Sequence, residues 1–163
     1  MATAIKDMEE TLNIVNALIQ ANLQTYLDVI NTEKADGITL TAPIASNYIN
    51  TEIDAIAGFP FIQFVPNTDD NVIAGGWWDE RDFNIIIKVH NVSKQGKISE
   101  CAKRSYRFER AIKEIIIDNR TITDQVIGIT INNVSYNPMM TDGHGFKQEI
   151  WLNAVVKHHG TFS

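Results

Sequence analysis

Carboxylates are the side chains in this chain whose type and spacing best fit a catalytic site. Five of them lie in one polar segment, residues 66–82: Asp69, Asp70, Asp79, Glu80 and Asp82. Paired carboxylates can act as acid and base in hydrolysis. The segment contains no further residues that would position two of these carboxylates for catalysis, so we interpret it as a solvated acidic loop. A sharper alternative is a negatively charged rim or pore lining, because like charge keeps passing DNA from binding.

The histidines and the single cysteine give weaker signals. Asp142 and His144 could form a ligand pair, but the glycines around them favour a plain turn. His158 and His159 are adjacent, so in a strand they point to opposite sides and cannot share one metal ion. Cys101 falls on an apolar helical stripe, which predicts a buried and unreactive thiol. The sequence contains no phosphate-binding glycine loop, hydrolase nucleophile elbow or zinc-protease helix, so we expect neither enzyme activity nor a cofactor.

Length and charge limit the class of protein. The chain has 163 residues, a net charge of −6 and one cysteine. This suits a single soluble domain that folds without a disulfide, and it argues against general nucleic-acid binding. The N-terminal residues lack signal-peptide features, and no apolar run reaches the length of a membrane span. We therefore expect a protein made in a cytoplasm, with no membrane partner.

Apolar periodicity predicts an α+β fold over residues 1–163. A small, mainly antiparallel sheet of about four strands should pack against a long N-terminal helix and one crossing helix. The helices are predicted at residues 6–32 and 96–118, and the strands at 59–65, 83–90, 126–136 and 146–157. Apolar parity switches after Asn132-Asn133, which predicts a β-bulge there. Residues 158–163 should be a frayed tail.

The segment between the first helix and the first strand is less regular. Ala35-Asp36-Gly37 predicts a turn and residues 38–40 a short extended piece. Residues 43–56 have apolar spacing that fits a short helix. The proline at each end of the first strand predicts an edge strand, or one paired only in part.

Two groups of residues are candidates for an interface. Trp77 and Trp78 lie in the polar loop, where both cannot be core residues, and aromatic side chains are enriched at interfaces. Packing of both against the domain itself is the alternative. Arg107 and Arg110 lie off the apolar stripe of the second helix, so we expect reversal of both charges to weaken assembly and leave the monomer folded. Pairing of this basic helix with an acidic loop would suit a ring of identical subunits.

The order of elements resembles the tail terminator and tail-completion proteins of long-tailed bacteriophages. The resemblance covers a long N-terminal helix, the phrase FPFIQFVPN, a variable loop, the strand FNIIIKVHNV, a helix and a final hairpin. It is a pattern of elements, not a signature motif. It implies no catalytic residues.

The resemblance implies a structural protein of the virion, assembled in the host bacterial cytoplasm. Such a protein forms a ring, usually a hexamer, on the head-proximal end of the tail tube. The ring stops polymerisation of the tube, joins the neck or connector proteins and lets DNA pass without specific binding. Two alternatives stay open: another neck or tail protein, such as a connector or tube subunit, and a small hydrolase that uses the loop carboxylates with His144.

Overall fold

The computed structural model describes residues 7–51, 58–72, 78–94, 97–121, 126–141 and 145–161, with the backbone alone at residues 71, 72, 78, 79, 126, 127 and 159–161. Within these ranges the chain forms two α-helices, a 3-10 turn and six strands. The helices are α1 (Met8–Lys34) and α2 (Ile98–Asp118), and the 3-10 turn is Ala45–Asn47. The strands are β1 (Tyr48–Ile49), β2 (Phe61–Val72), β3 (Trp78–Lys94), β4 (Val126–Tyr136), β5 (Met140–Thr141) and β6 (Gly145–Thr161). The predicted α+β class is confirmed, although the sheet has six described strands where about four were expected.

The ends of α1 follow from local chemistry. The Asp7 carboxylate accepts a hydrogen bond from the Glu10 amide at 2.8 Å, and the Glu10 carboxylate accepts one from the Asp7 amide at 3.2 Å. This capping box starts the helix at Met8, two residues later than predicted. The helix ends at Lys34, its C-cap Ala35 has a left-handed φ of 45°, and Gly37 follows with φ 82°. The predicted turn at residues 35–37 is therefore confirmed.

The sheet has the order β1-β2-β3-β6-β4, with β5 paired to β6 beside β4. β1 is parallel to β2, and the remaining pairs are antiparallel. A register shift between Ile131 and Asn133 confirms the predicted bulge. The bulge returns Val134 to the face of Ile131, and both pack on the core.

Both helices pack on one face of the sheet. Their buried stripes include Val15, Ile19 and Leu23 in α1 and Phe108, Ile112 and Ile115 in α2. The facing sheet residues alternate along the two central strands: Phe83, Ile85, Ile87 and Val89 in β3, and Ile150, Leu152, Ala154 and Val156 in β6. The core therefore lies between the helix layer and this face, as the strand and helix periodicities predicted.

The polar segment at residues 66–82 is not a loop over its described length. Residues 66–72 continue β2 and residues 78–82 begin β3, and the two arms pair through Asp69↔Phe83 and Asp70↔Asp82. A register shift between Pro66 and Thr68 accommodates the proline. The polar composition predicted a loop, but the two arms pair with each other, and this pairing supplies the backbone hydrogen bonds of a strand in spite of that composition. Residues 73–77 lie outside the described part of the chain.

Two further expectations are wrong: the short helix at residues 43–56 and the frayed C-terminal tail. Residues 43–51 form no helix beyond a single 3-10 turn before β1, and the expected helix residues 52–57 lie outside the described range. The short extended piece expected at residues 38–40 belongs to no described strand and stays a prediction. At the C-terminus, residues 158–161 continue β6 and pair with β3, so they do not form a frayed tail. His158 is only 1% exposed because its ring packs against Phe83 and hydrogen-bonds to Thr11.

Candidate interaction surfaces

The acidic residues lie on two faces of the β2–β3 hairpin. Asp70 and Asp82 are cross-strand neighbours on the face away from the helices. Asn84 donates to Asp70 at 2.9 Å, and Lys157 lies 3.8 Å from Asp82, which offsets the repulsion between the two acids. Asp69 shares the opposite face with Phe83 and is exposed. This arrangement disperses the acids along strand arms.

The remaining two acids occupy the first residues of β3. Glu80 is half-buried and pairs in register with Val72. Asp79 belongs to the same strand, and only its backbone is described. The five acids therefore follow an extended ladder, with side chains alternating between two faces.

The other groups with possible chemistry do not form a described site. Cys101 is fully buried, its thiol donates to the Phe146 carbonyl at 3.6 Å, and burial raises its pKa. A buried thiol with a raised pKa is a poor nucleophile. Among the described residues no group of three or more His, Cys, Asp or Glu side chains could hold a metal ion. The candidate pair Asp142 and His144 lies outside them.

Arg107 is not on an exposed face, so that expectation is wrong. It is 6% exposed, and its guanidinium lies 2.6 Å from the Asp36 carboxylate and donates to the Ile38 carbonyl at 2.8 Å. The hydrogen bond from Arg107 holds the pKa of Asp36 well below its usual range. Arg107 thereby ties α2 to the turn that follows α1. Its expected part in a subunit contact stays a prediction that no observation here supports.

Arg110 is the more exposed of the two arginines. It bridges Glu33 of α1 at 2.7 Å and Glu114 of its own helix at 2.8 Å. Hydrogen bonds from Arg110, and then from Lys34, lower the pKa of Glu33 to about 2. Most cations of α2 are thus paired within the chain, so the helix presents less positive charge than its sequence indicates.

The tryptophan pair remains a prediction. Trp77 lies outside the described residues. Trp78 is the first residue of β3 and pairs in register with Thr161, with only its backbone described. Trp78 is therefore a strand residue, although the sequence predicted a loop.

A groove with apolar walls runs between α2 and the edge strand β4. Its volume is about 290 Å³, and it is lined by Lys113, Ile116, Ile117, Arg120, Ile129, Thr130 and Ile131. Ile117 is 55% exposed at its mouth. The groove combines an aliphatic interior with two cations, which suits an acidic segment that carries some apolar surface.

Aromatic side chains continue the exposed surface along the same edge of the sheet. Tyr106 and Tyr136 pack edge to face with centroids 5.5 Å apart, and the Tyr136 hydroxyl donates to Glu109. Met140 in β5 is 65% exposed. Exposed aromatic and methionine side chains are typical of protein interfaces. We call this edge, from Met140 to the groove, the α2/β4 surface.

The sheet face away from the helices carries a second cluster that sequence reasoning missed. His90 stacks on Phe61 at 3.9 Å between centroids and hydrogen-bonds to Gln63 at 2.8 Å. The Lys88 ammonium lies 4.8 Å from the centroid of Trp151. Lys88 and His90 could have been found as the polar residues that alternate with Ile85, Ile87 and Val89. The contact of Lys88 with Trp151 depends on the register between β3 and β6.

Known proteins that resemble this chain are found among solved structures, without a matching family. No protein-family model matches the chain, and no curated protein matches it. A chain described as part of the virion of a native gene transfer agent particle is similar in fold, with a TM-score of 0.48 and 8% identity, covering 87% of this chain and 95% of its own. A second solved chain has a TM-score of 0.39 and 16% identity, covering 86% of this chain and 94% of its own. Both scores lie below 0.5, where similarity in fold does not extend to function.

No helix in the described part of the chain is long and apolar enough to cross a membrane.

Proposed function

We propose that this chain is a structural virion protein that forms a ring on the head-proximal end of a phage tail tube. The ring ends polymerisation of the tube and provides the surface that joins the neck proteins. The observation that carries the proposal is the order and packing of the elements. A long N-terminal helix, a β-hairpin, a crossing helix and a final pair of strands pack as one helix layer on one sheet.

The surfaces of the described residues support a role in assembly. One edge of the sheet carries the groove and the exposed Tyr106, Tyr136 and Met140. The other side carries the acidic hairpin arms, whose residues 66–70 are exposed beyond the buried residues 61–65. Two unlike surfaces on opposite sides of one subunit are what a ring of head-to-tail contacts requires.

The acidic character of the hairpin suits a passage for DNA. The arms at residues 66–72 and 78–82 contain five acids and one base, Arg81, a net charge of 1 − 5 = −4. Acidic walls repel phosphates, so DNA would pass without binding. Asp69, Asp70, Asp79, Glu80 and Asp82 therefore stay our candidates for the pore or rim. Asp70 and Asp82 lie on the face away from the helices, so this face can meet DNA while Asp69, on the other face, is available for a contact between subunits.

The proposal is tested by electron microscopy of tails. Purified tail tubes are mixed with the protein and imaged by negative stain, with an unrelated acidic protein of similar size as the control. We expect one ring at one end of each tube and no further growth of capped tubes when tube protein is added. Bare tube ends at saturating protein would show that the chain is not a terminator.

The same experiment separates a terminator from a tube subunit. A tube subunit alone would polymerise into long filaments, whereas a terminator stops at a single ring. The number of subunits follows from end-on class averages, for which we expect six. The tube protein and the neck or connector proteins are the expected neighbours on the two sides of the ring.

A further inference from the structure

The charges of two exposed residues are left unpaired near opposite edges of the sheet. Asp69 lies in the β2 arm and Arg120 follows α2 at the groove, and both side chains are exposed. Neither makes a hydrogen bond or ion pair with the other residues that the structure describes. This sets them apart from the cations of α2, since Arg104, Arg107, Arg110 and Lys113 each have an acidic partner in the chain.

A chain cannot readily pair its own Asp69 with its own groove. The strand order places β3 and β6 between β2 and β4. Three inter-strand spacings of about 4.8 Å separate the acidic arm from the groove strand by roughly 14 Å. The two surfaces are therefore available to different molecules.

The register places the two surfaces at the same level along the strands. Asp69 pairs with Phe83, Phe83 with Val156 and Val156 with Ile129, which lines the groove. Asp69 also lies on the face of Phe83, the face on which α2 and the groove are found. A neighbour related mainly by rotation about an axis along the strands would bring its acidic arm to the groove with little translation, and such contacts close into rings.

We infer that the groove between α2 and β4 receives the acidic β2–β3 hairpin of a second copy of this chain, with Asp69 of one subunit paired to Arg120 of the next. The biological setting of this contact rests on the proposed function. Its geometry rests on the opposite charges of Asp69 and Arg120 and on the register that places Asp69 level with the groove. The Arg120 guanidinium supplies the ionic contact, and the aliphatic walls at Ile117 and Ile131 exclude water from it.

Charge reversal tests the pairing. Arg120→Glu and Asp69→Arg are each compared with the wild type by sedimentation over a range of concentrations. We expect each reversal to raise the concentration at half assembly about tenfold, equivalent to about 1.4 kcal/mol per contact. The double variant should regain most of the loss because the pair is restored with exchanged charges. Asp70→Arg is the matched control, since Asp70 lies on the other face of the same arm and should change assembly little.

Cysteine cross-linking gives a second test that does not depend on affinity. Asp69→Cys combined with Arg120→Cys should give a ladder of disulfide-linked oligomers, while Asp70→Cys with Arg120→Cys should give none. The native Cys101 is buried and stays in place. Absence of a ladder from the first pair, or additive loss in the double charge variant, would overturn the inference.

The outcomes separate the contact from the function. If the wild type caps tubes but the first cysteine pair does not cross-link, the contact is wrong and the terminator function stands. If cross-linked rings form but tubes stay bare, the contact stands and the function is wrong. If Arg120→Glu self-associates like the wild type but fails to cap tubes, the groove receives the tube protein, and a second copy is not its occupant.

Discussion

Replacement of Arg107 should destabilise the monomer. The sequence predicted an exposed position for Arg107, where replacement would leave the monomer folded. Arg107→Ala removes two charge-assisted hydrogen bonds, to the Asp36 carboxylate at 2.6 Å and to the Ile38 carbonyl at 2.8 Å. Hydrogen bonds of buried charged groups contribute about 1.5–3 kcal/mol, and the arginine stem also loses its packing. We expect the free energy of unfolding to fall by about 2–3 kcal/mol. Arg107→Glu, which also faces Asp36 with like charge, should lower the free energy of unfolding further than Arg107→Ala does.

Arg110→Ala is the matched control because it lies one turn along the same helix. Its side chain is 38% exposed and its two ion pairs are at the surface, where solvent screening keeps the contribution of each pair to stability small. The assay is urea unfolding of dilute monomer, followed by tryptophan fluorescence and circular dichroism, with a double-mutant cycle between Arg107→Ala and Asp36→Ala. Equal losses for the two arginine variants, or zero coupling to Asp36, would refute the assigned clamp between α2 and the turn.

Three other predictions concern single sites. Ala35→Gly should raise the free energy of unfolding by about 0.5–1 kcal/mol, because Ala35 has a left-handed φ of 45° that glycine adopts without strain. A lower free energy of unfolding for the variant, measured in urea, would contradict this. Cys101 should react with a thiol reagent only as fast as the protein unfolds, and rapid labelling of the native chain would show that the thiol is accessible. The contribution of the Glu33–Arg110 ion pair to the free energy of unfolding should be complete above about pH 5. It should disappear as the pH falls towards about 2, because the pKa of Glu33 is lowered in the folded state. The difference in urea midpoint between the wild type and Arg110→Ala should therefore shrink over that range, and a constant difference would contradict the assignment.

Local patterns were sufficient for the elements that bury one regular face. The stripe from Leu12 to Ile30 and the alternation in β3 each have a single period, so burial on one side follows directly. The bulge near Asn132 was also predictable, because an extra residue leaves a visible change of parity.

Predictions failed where a partner elsewhere in the chain decides the structure. The polar arms at residues 66–72 and 78–82 have low strand propensity, but each supplies the other with backbone hydrogen bonds. His158 at the C-terminal end is held by Phe83 and Thr11, and neither is near it in sequence. Arg107 lies off the apolar stripe, but the turn at Asp36 folds over it.

The α+β class, the two helices, the core stripes and the lack of a recognisable catalytic motif were predictable, because they depend on the periodicity and composition of short segments. Which charges are neutralised within the chain and which remain available depends instead on tertiary packing. It paired Arg107 with Asp36 and Arg110 with Glu33, and it left Asp69 and Arg120 exposed near opposite edges of the sheet. The physical reason is that strand order and register bring distant residues together, and no local pattern specifies either one.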